Sequence, residues 1–240
     1  MRARLGTLYS RLACRFVKHA TARVPASERG DGQKVLYLTF DDGPTDRTPE
    51  ILAELAVHDL PAIHFLVGDQ VRAHPRRVRE ILAAGHEIGN HTQSHVDAWK
   101  APLRRVIREL TDCSRLLERT TGAPPRWVRP PFGRLTRPLV RWSKRHGQRL
   151  LLWDLMPPDF ESAGDLAEVR RVGDVFLKGV RPGGIVVFHD NAKAGAVTAR
   201  VLRECLPRLI DAGWRFERVP NDEPQLHSRH DRGANLKRSA

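Results

Sequence analysis

No run of apolar residues in this chain approaches the length of a bilayer span, which excludes a membrane-spanning helix. The first 25 residues, MRARLGTLYSRLACRFVKHATARVP, hold no uninterrupted apolar segment either, because Arg11, Arg15 and Lys18 break it. A standard export signal is therefore not expected, and by default the chain would be cytoplasmic or peripheral to a membrane. Cysteine is scarce: Cys14, Cys113 and Cys205 stand far apart, without a CxxC pair and in odd number. Neither a disulfide framework nor a cysteine metal site is expected from that pattern. Aromatic residues make up only 6% of the chain, and no internal repeat is visible.

What is present is an ordinary globular balance, 40% hydrophobic and 29% charged over 240 residues, enough for one domain with a full core. The charge is lopsided. A formal net charge of +13 would draw the chain toward polyanions, anionic membrane or polymer among them, and names no specific nucleic-acid partner. Residues 1–34 carry eight Lys/Arg against Glu28 and Asp31. Within them Leu5, Leu8, Tyr9, Leu12 and Phe16 recur at helical spacing. That pattern suits either a basic amphipathic helix at an anionic surface or a helix packed on the domain's own surface, and the second is the expectation.

Apolar, β-rich runs alternate with helical patterns along the rest of the chain. Strands are expected at Val35–Phe40, Ala62–Val67, His86–Gly89, Arg126–Val128, Leu150–Trp153, Ile185–Phe188 and Trp214–Val219. Helices are expected near Pro49–His58, Pro75–Ala84, Pro102–Thr120, Arg137–His146, Leu166–Gly179 and Val197–Ala212. Seven strands alternating with six helices imply a parallel α/β sheet with right-handed crossovers, either an open doubly wound sheet or a barrel, of which the barrel is the expectation. The expected organisation is a basic, helical leader over 1–33, a single barrel domain over 34–220, and a polar, disordered tail over 221–240.

Unusual polar residues sit just after these strands, where α/β folds place their sites. Asp41-Asp42-Gly43-Pro44 follows the first strand and His91-Thr92-Gln93-Ser94-His95 the third; Arg129-Pro130-Pro131-Phe132 follows the fourth. Trp153-Asp154 ends the fifth, and His189-Asp190 follows the sixth. Four residues apart, His91 and His95 would share one face of a helical turn and could bind one cation, with Asp41 or Asp42 as the third ligand. Alone, such a histidine pair more often lies on a solvated helix face; five segments converging on one rim give it weight. Trp153 reads equally as core or as a sugar platform, and His64 and His86 read as satisfied core or rim histidines.

Taken together these segments resemble the polysaccharide deacetylase family (NodB homology domain, carbohydrate esterase family 4), from about Lys34 to Val219. Thr39–Pro44 is similar to its motif TFDDGP, Gly85–His95 to GHEIGNHTxxH, Arg129–Gly133 to its third motif and Ile185–Asp190 to its fifth. The resemblance implies a distorted (β/α)7 barrel, TIM-like, and a metal-dependent hydrolase removing N-acetyl groups from an amino sugar in a chitin- or peptidoglycan-like glycan. The cofactor it implies is one divalent ion, zinc first, with cobalt, nickel or manganese as alternatives. By similarity Asp42, His91 and His95 hold the metal, Asp41 is general base, His189 general acid, Arg129 the partner of Asp41, and the Phe132 amide an oxyanion donor. Pro131, Trp153 and Asp159 would line the substrate. The fourth motif departs from the family pattern, since Met156 stands where an Asp is expected to support His189. Asp154 or Asp159 would have to supply that carboxylate; without one, the His189 pKa would fall. A catalytically weakened deacetylase fold that binds anionic polymer or membrane is the alternative.

Overall fold

The computed structural model describes residues 2–17, 19–26, 32–161 and 165–220; the expectation of a disordered tail lies outside them. Strands β1 Ala20–Thr21, β2 Val35–Asp41, β3 Ala62–Leu66, β4 Glu87–Asn90, β5 Trp127–Val128, β6 Arg149–Leu151, β7 Gly184–His189 and β8 Arg215–Phe216 form a single sheet. Its order is β1-β6-β5-β4-β3-β2-β7, all pairs parallel, with β8 on the first residues of β2. Helices α1 Arg2–Phe16, α2 Thr48–Ala56, α3 Gly68–Ala73, α4 Pro75–Ala83, α5 Leu103–Thr121, α6 Arg137–Arg145, α7 Leu166–Gly179 and α8 Gly195–Asp211 join and flank the strands. Among the described residues, no helix is long and apolar enough to cross a membrane.

The sheet curls until its two edges meet. Arg23 bridges Gly184, the Val24 amide donates to the Gly183 carbonyl at 2.8 Å, and Leu155 bridges Val186. The architecture is thus an α/β barrel rather than an open sheet, distorted as the family resemblance implied. Two elements escaped the sequence reading: β1 has only two residues, and α3 only six, too short for periodicity to register. β1 and the bridge at Arg23 tie the basic N-terminal segment into the barrel seam.

Strand alternation explains where the site forms. In β2 every residue is buried, but the two faces do different work. Leu36, Leu38 and Phe40 pack outward with α2, α7 and α8 residues such as Ile51, Phe176 and Leu202, while Val35 and Tyr37 join Phe65, Trp127, Leu151 and Ile185 inside the barrel. Continuing that inner row along β2 brings Thr39 and then Asp41 to the barrel's carboxyl end. The same parity carries Trp127 to Arg129 and Ile185 to His189, and β2–β7 register sets Asp41 opposite His189.

Candidate active site

Arg129 is the fixed point of the rim. Wholly buried, it donates from Nη1 to Asp41 Oδ1 at 2.7 Å and to Thr39 Oγ1 at 2.8 Å. Its Nε and Nη2 donate to the Leu151 and Leu152 carbonyls at 2.7 and 2.9 Å, and its guanidinium lies 4.1 Å over the Phe65 ring. Burial lowers the guanidinium pKa, with Asp41 opposing that shift. The fork geometry is one that lysine could not reproduce.

Asp42, His91 and His95 bring ligand atoms within 4.8 Å of one another. Asp42 Oδ1 lies 3.5 Å from His91 Nε2 and 3.1 Å from His95 Nε2. It is buried and finds no donor in hydrogen-bonding geometry, whereas Oδ2 accepts from Asn191 Nδ2 at 3.0 Å. Burial raises the Asp42 pKa, yet the two imidazoles and the more distant His189 outweigh it and hold the carboxyl well below its usual range. His91 Nδ1 donates to the Arg129 carbonyl at 2.7 Å, which fixes the tautomer with a bare Nε2 facing Asp42. A buried carboxylate oxygen left without a donor, beside two imidazole Nε2 atoms, is a donor set that fits one small divalent cation.

The histidine pair does not lie on a helical turn as its spacing suggested. Thr92 and His95 adopt left-handed φ values of 67° and 56°, so residues 91–95 form a loop. Local hydrogen bonds beat helix formation there. Asn90 Oδ1 accepts from the Thr92 amide at 2.8 Å, and buried Glu109 of α5 accepts from the Ser94 amide and hydroxyl, each at 2.7 Å.

His189 has a carboxylate partner despite Met156. Its Nδ1 donates to Asp159 Oδ1 at 2.9 Å, while Asp159 Oδ2 accepts from the His189 amide at 2.7 Å and from Thr198 Oγ1 at 2.8 Å. Burial disfavours the imidazolium, but Asp159, aided by Asp42 and Asp41, pushes its pKa up to about 9. With Asp159 as partner, the condition under which the pKa would fall is not met. Asp159 is fully buried behind the histidine, so it does not line the substrate; Asp154 turns away to Arg11 and Arg23 at 2.7 and 2.8 Å.

Trp153 is only 3% exposed, set against Gly133 and the Arg129 guanidinium. Its ring is a support beneath the rim rather than an open sugar platform. Pro131 is buried too, whereas Phe132 is 55% exposed at φ 60°, its ring edge-on to His95 at 5.0 Å. Phe160 stands edge-on to His189 at 5.1 Å. His64 on β3 and His86 just before β4 are buried, but the expectation that they are satisfied fails: among the described residues neither His64 ring nitrogen nor His86 Nδ1 finds a hydrogen-bond partner.

Residues to which the sequence reading gave no role hold this arrangement. Asp190 accepts from Thr45 and Thr48 at 2.9 and 2.6 Å, and its Oδ2 lies 2.5 Å from where a Cβ on Gly43 would sit, so only glycine fits that turn. Burial pushes the Asp190 pKa up to about 7. Glu109, Asn191 and Thr198 gave no signal of their own, since each acts across the fold, and Asn90 bonds the Thr92 amide two residues on; only nearness to His91 and His189 could have flagged Asn90 and Asn191.

A cation-ready cluster beside a buried Asp–Arg pair and an Asp–His pair, on the rim of a parallel barrel, defines a hydrolytic centre. A family profile described as polysaccharide deacetylase matches residues 28–151, and the chain belongs to that family. It is 31% identical over 211 residues to a chitooligosaccharide deacetylase of Sinorhizobium fredii, covering 83% of this chain and 95% of that protein. To a peptidoglycan-N-acetylglucosamine deacetylase of Bacillus cereus it is 31% identical over 204 residues, covering 84% and 91%. A crystal structure of a peptidoglycan N-acetylglucosamine deacetylase overlays with a TM-score of 0.75 at 26% identity, covering 83% of this chain and 90% of the other.

Proposed function

We propose that the protein is a metal-dependent N-deacetylase acting on N-acetylglucosamine units of an oligosaccharide or polysaccharide of the chitin or peptidoglycan type. The observation that carries the reading is the Asp42, His91 and His95 cluster with Asp41 beside it, Asp41 Oδ2 lying 3.9 Å from His91 Nε2. Relatives named for deacetylating chitooligosaccharide and peptidoglycan N-acetylglucosamine support the substrate class.

Asp42, His91 and His95 would hold one divalent ion, zinc first among first-row metals. Such an ion acidifies a nearby water and polarises an acyl oxygen. Asp41, held in place by Arg129, takes the proton of the water as the water oxygen bonds to the acetyl carbon. The Phe132 amide donates to the oxygen on which negative charge develops. Imidazolium His189, held by Asp159, gives its Nε2 proton to the sugar nitrogen as the C–N bond breaks, so that acetate and a free amine leave. Phe132 stands edge-on to His95 and Phe160 edge-on to His189, so an aromatic ring lies beside each of these imidazoles.

The rival reading, a weakened fold that only binds, drew on Met156. Asp159 fills the role left open there, so what still favours binding is the +13 charge. Acetate release from chitin oligomers and peptidoglycan fragments, before and after chelation and again after zinc is restored, separates the two. The deacetylase reading expects release that is lost and regained; no release from any acetylated glycan would overturn it.

A further inference from the structure

Helix α1 packs on the barrel with the wrong face for a helix held by apolar burial. Inward point Ala3, Ser10 and Cys14: Ser10 Oγ bonds the Trp153 backbone, Thr7 Oγ1 accepts from the Met156 amide at 3.2 Å, and Met156 sits where a Cβ on Gly6 would fall. Outward point Leu5, Leu8 and Leu12, which are 58%, 55% and 44% exposed. Spaced three and four apart, they form one continuous stripe. The helix lies on the barrel surface, but its leucines are not what does the packing.

The flank of that stripe is basic. α1 carries four arginines and no acidic residue. Three and seven residues on from Leu8 come Arg11 and Arg15, which with Arg23 and Arg181 line a cleft of about 530 Å³. Asp154 at its floor engages Arg11 and Arg23, whereas Arg15 and Arg181 make no salt bridge among the described residues. On the stripe's other side, Tyr9 accepts from the Leu135 amide at 3.2 Å and stands edge-on to Trp99, itself exposed, at 5.4 Å.

We propose that this face docks on an anionic lipid bilayer, Leu5, Leu8 and Leu12 entering the headgroup–acyl boundary and the Arg15–Arg181 cleft taking lipid phosphates. A leucine stripe bordered by arginines on a helix lying flat is the pattern of an interfacial helix. A second copy suits the face less, because it would set two arginine-only helices against each other. Docking brings the rim beside Phe132 close to the bilayer, since α1 lies against the turn at Pro131–Gly133. A glycan lying at or attached to a lipid surface would then meet the site.

Sedimentation of the full chain with vesicles tests this, using phosphatidylcholine alone or mixed equally with phosphatidylglycerol. Expected are binding to the mixed vesicles that weakens as salt rises, and on the order of tenfold weaker binding to the neutral ones. Leu5→Gln, Leu8→Gln and Leu12→Gln together should lower binding on the order of a hundredfold with an unchanged melting temperature. Arg15→Gln with Arg181→Gln should lower it about tenfold on mixed vesicles only. No association of the wild-type chain, or binding that survives loss of the leucines, overturns the proposal. So does a dimer seen by light scattering that the leucine variant abolishes.

Discussion

Asp159 Oδ1 accepts the Nδ1 proton of His189 at 2.9 Å, although the two residues lie thirty positions apart and Met156 occupies the place where a carboxylate was expected. The contact decides which way the histidine titrates. Burial alone would strip its proton near neutrality; with Asp159 the imidazolium persists to about pH 9.

Asp159→Asn should therefore cost roughly ten- to a hundredfold in kcat at neutral pH. A rate that needs protonated His189 is retained below its pKa and lost as pH rises through it, so the basic limb of the pH–rate profile should move to lower pH in the variant. A limb that stays in place would contradict the assignment of His189 as the acid.

The same pair contributes to stability. Because the folded pKa of His189 is raised from its ordinary 6.5 to about 9, its contribution is full below about 6.5 and lost as pH rises through about 9. The free-energy gap between wild type and His189→Gln should narrow by about 3 kcal/mol across that window, read by urea unfolding at several pH values.

Arg129→Met removes a buried charge and leaves Asp41 unpaired, with the Leu151 and Leu152 carbonyls bare. A loss of about 3–5 kcal/mol is expected in denaturant melts. Adding Asp41→Asn should restore part of it, because the orphaned carboxylate is then neutral.

Asp154 clamps α1 and β1 to the seam through Arg11 and Arg23. Both arginines are partly solvated, so Asp154→Ala should cost only about 1–2 kcal/mol overall. Amide exchange should show the loss locally, with faster exchange across 2–17 and 20–24 and little change in β2 or β7.

The barrel and the gathering of polar residues on its rim were legible in the sequence because both follow from strand alternation and from polar residues placed at strand ends; the choice of Asp42 over Asp41 beside the two histidines came only from the family resemblance. Asp41, Asp42, His91, Arg129 and His189 each extend a short apolar run that periodicity marks. The 91–95 loop was misread as helical because its spacing fits a helix; Asn90, which accepts from the Thr92 amide two residues on, and Glu109, which reaches Ser94 from α5, hold it in another shape. Trp153 could not be assigned for a similar reason: its burial depends on α1 closing over it, and Ser10 on that helix gave no signal. The partner of His189 stayed open because Asp154 and Asp159 differ, in sequence, only in where the turn after β6 aims them.

The central claim is that Asp42, His91 and His95 hold the ion on which amide hydrolysis depends. The most direct test measures bound metal and acetate release from an N-acetylglucosamine oligomer on the same samples of wild type and Asp42→Ala. The account predicts one divalent ion per chain and acetate from the wild type, and neither from the variant. Equal acetate release from both, or a metal-free wild type with full activity, would contradict it.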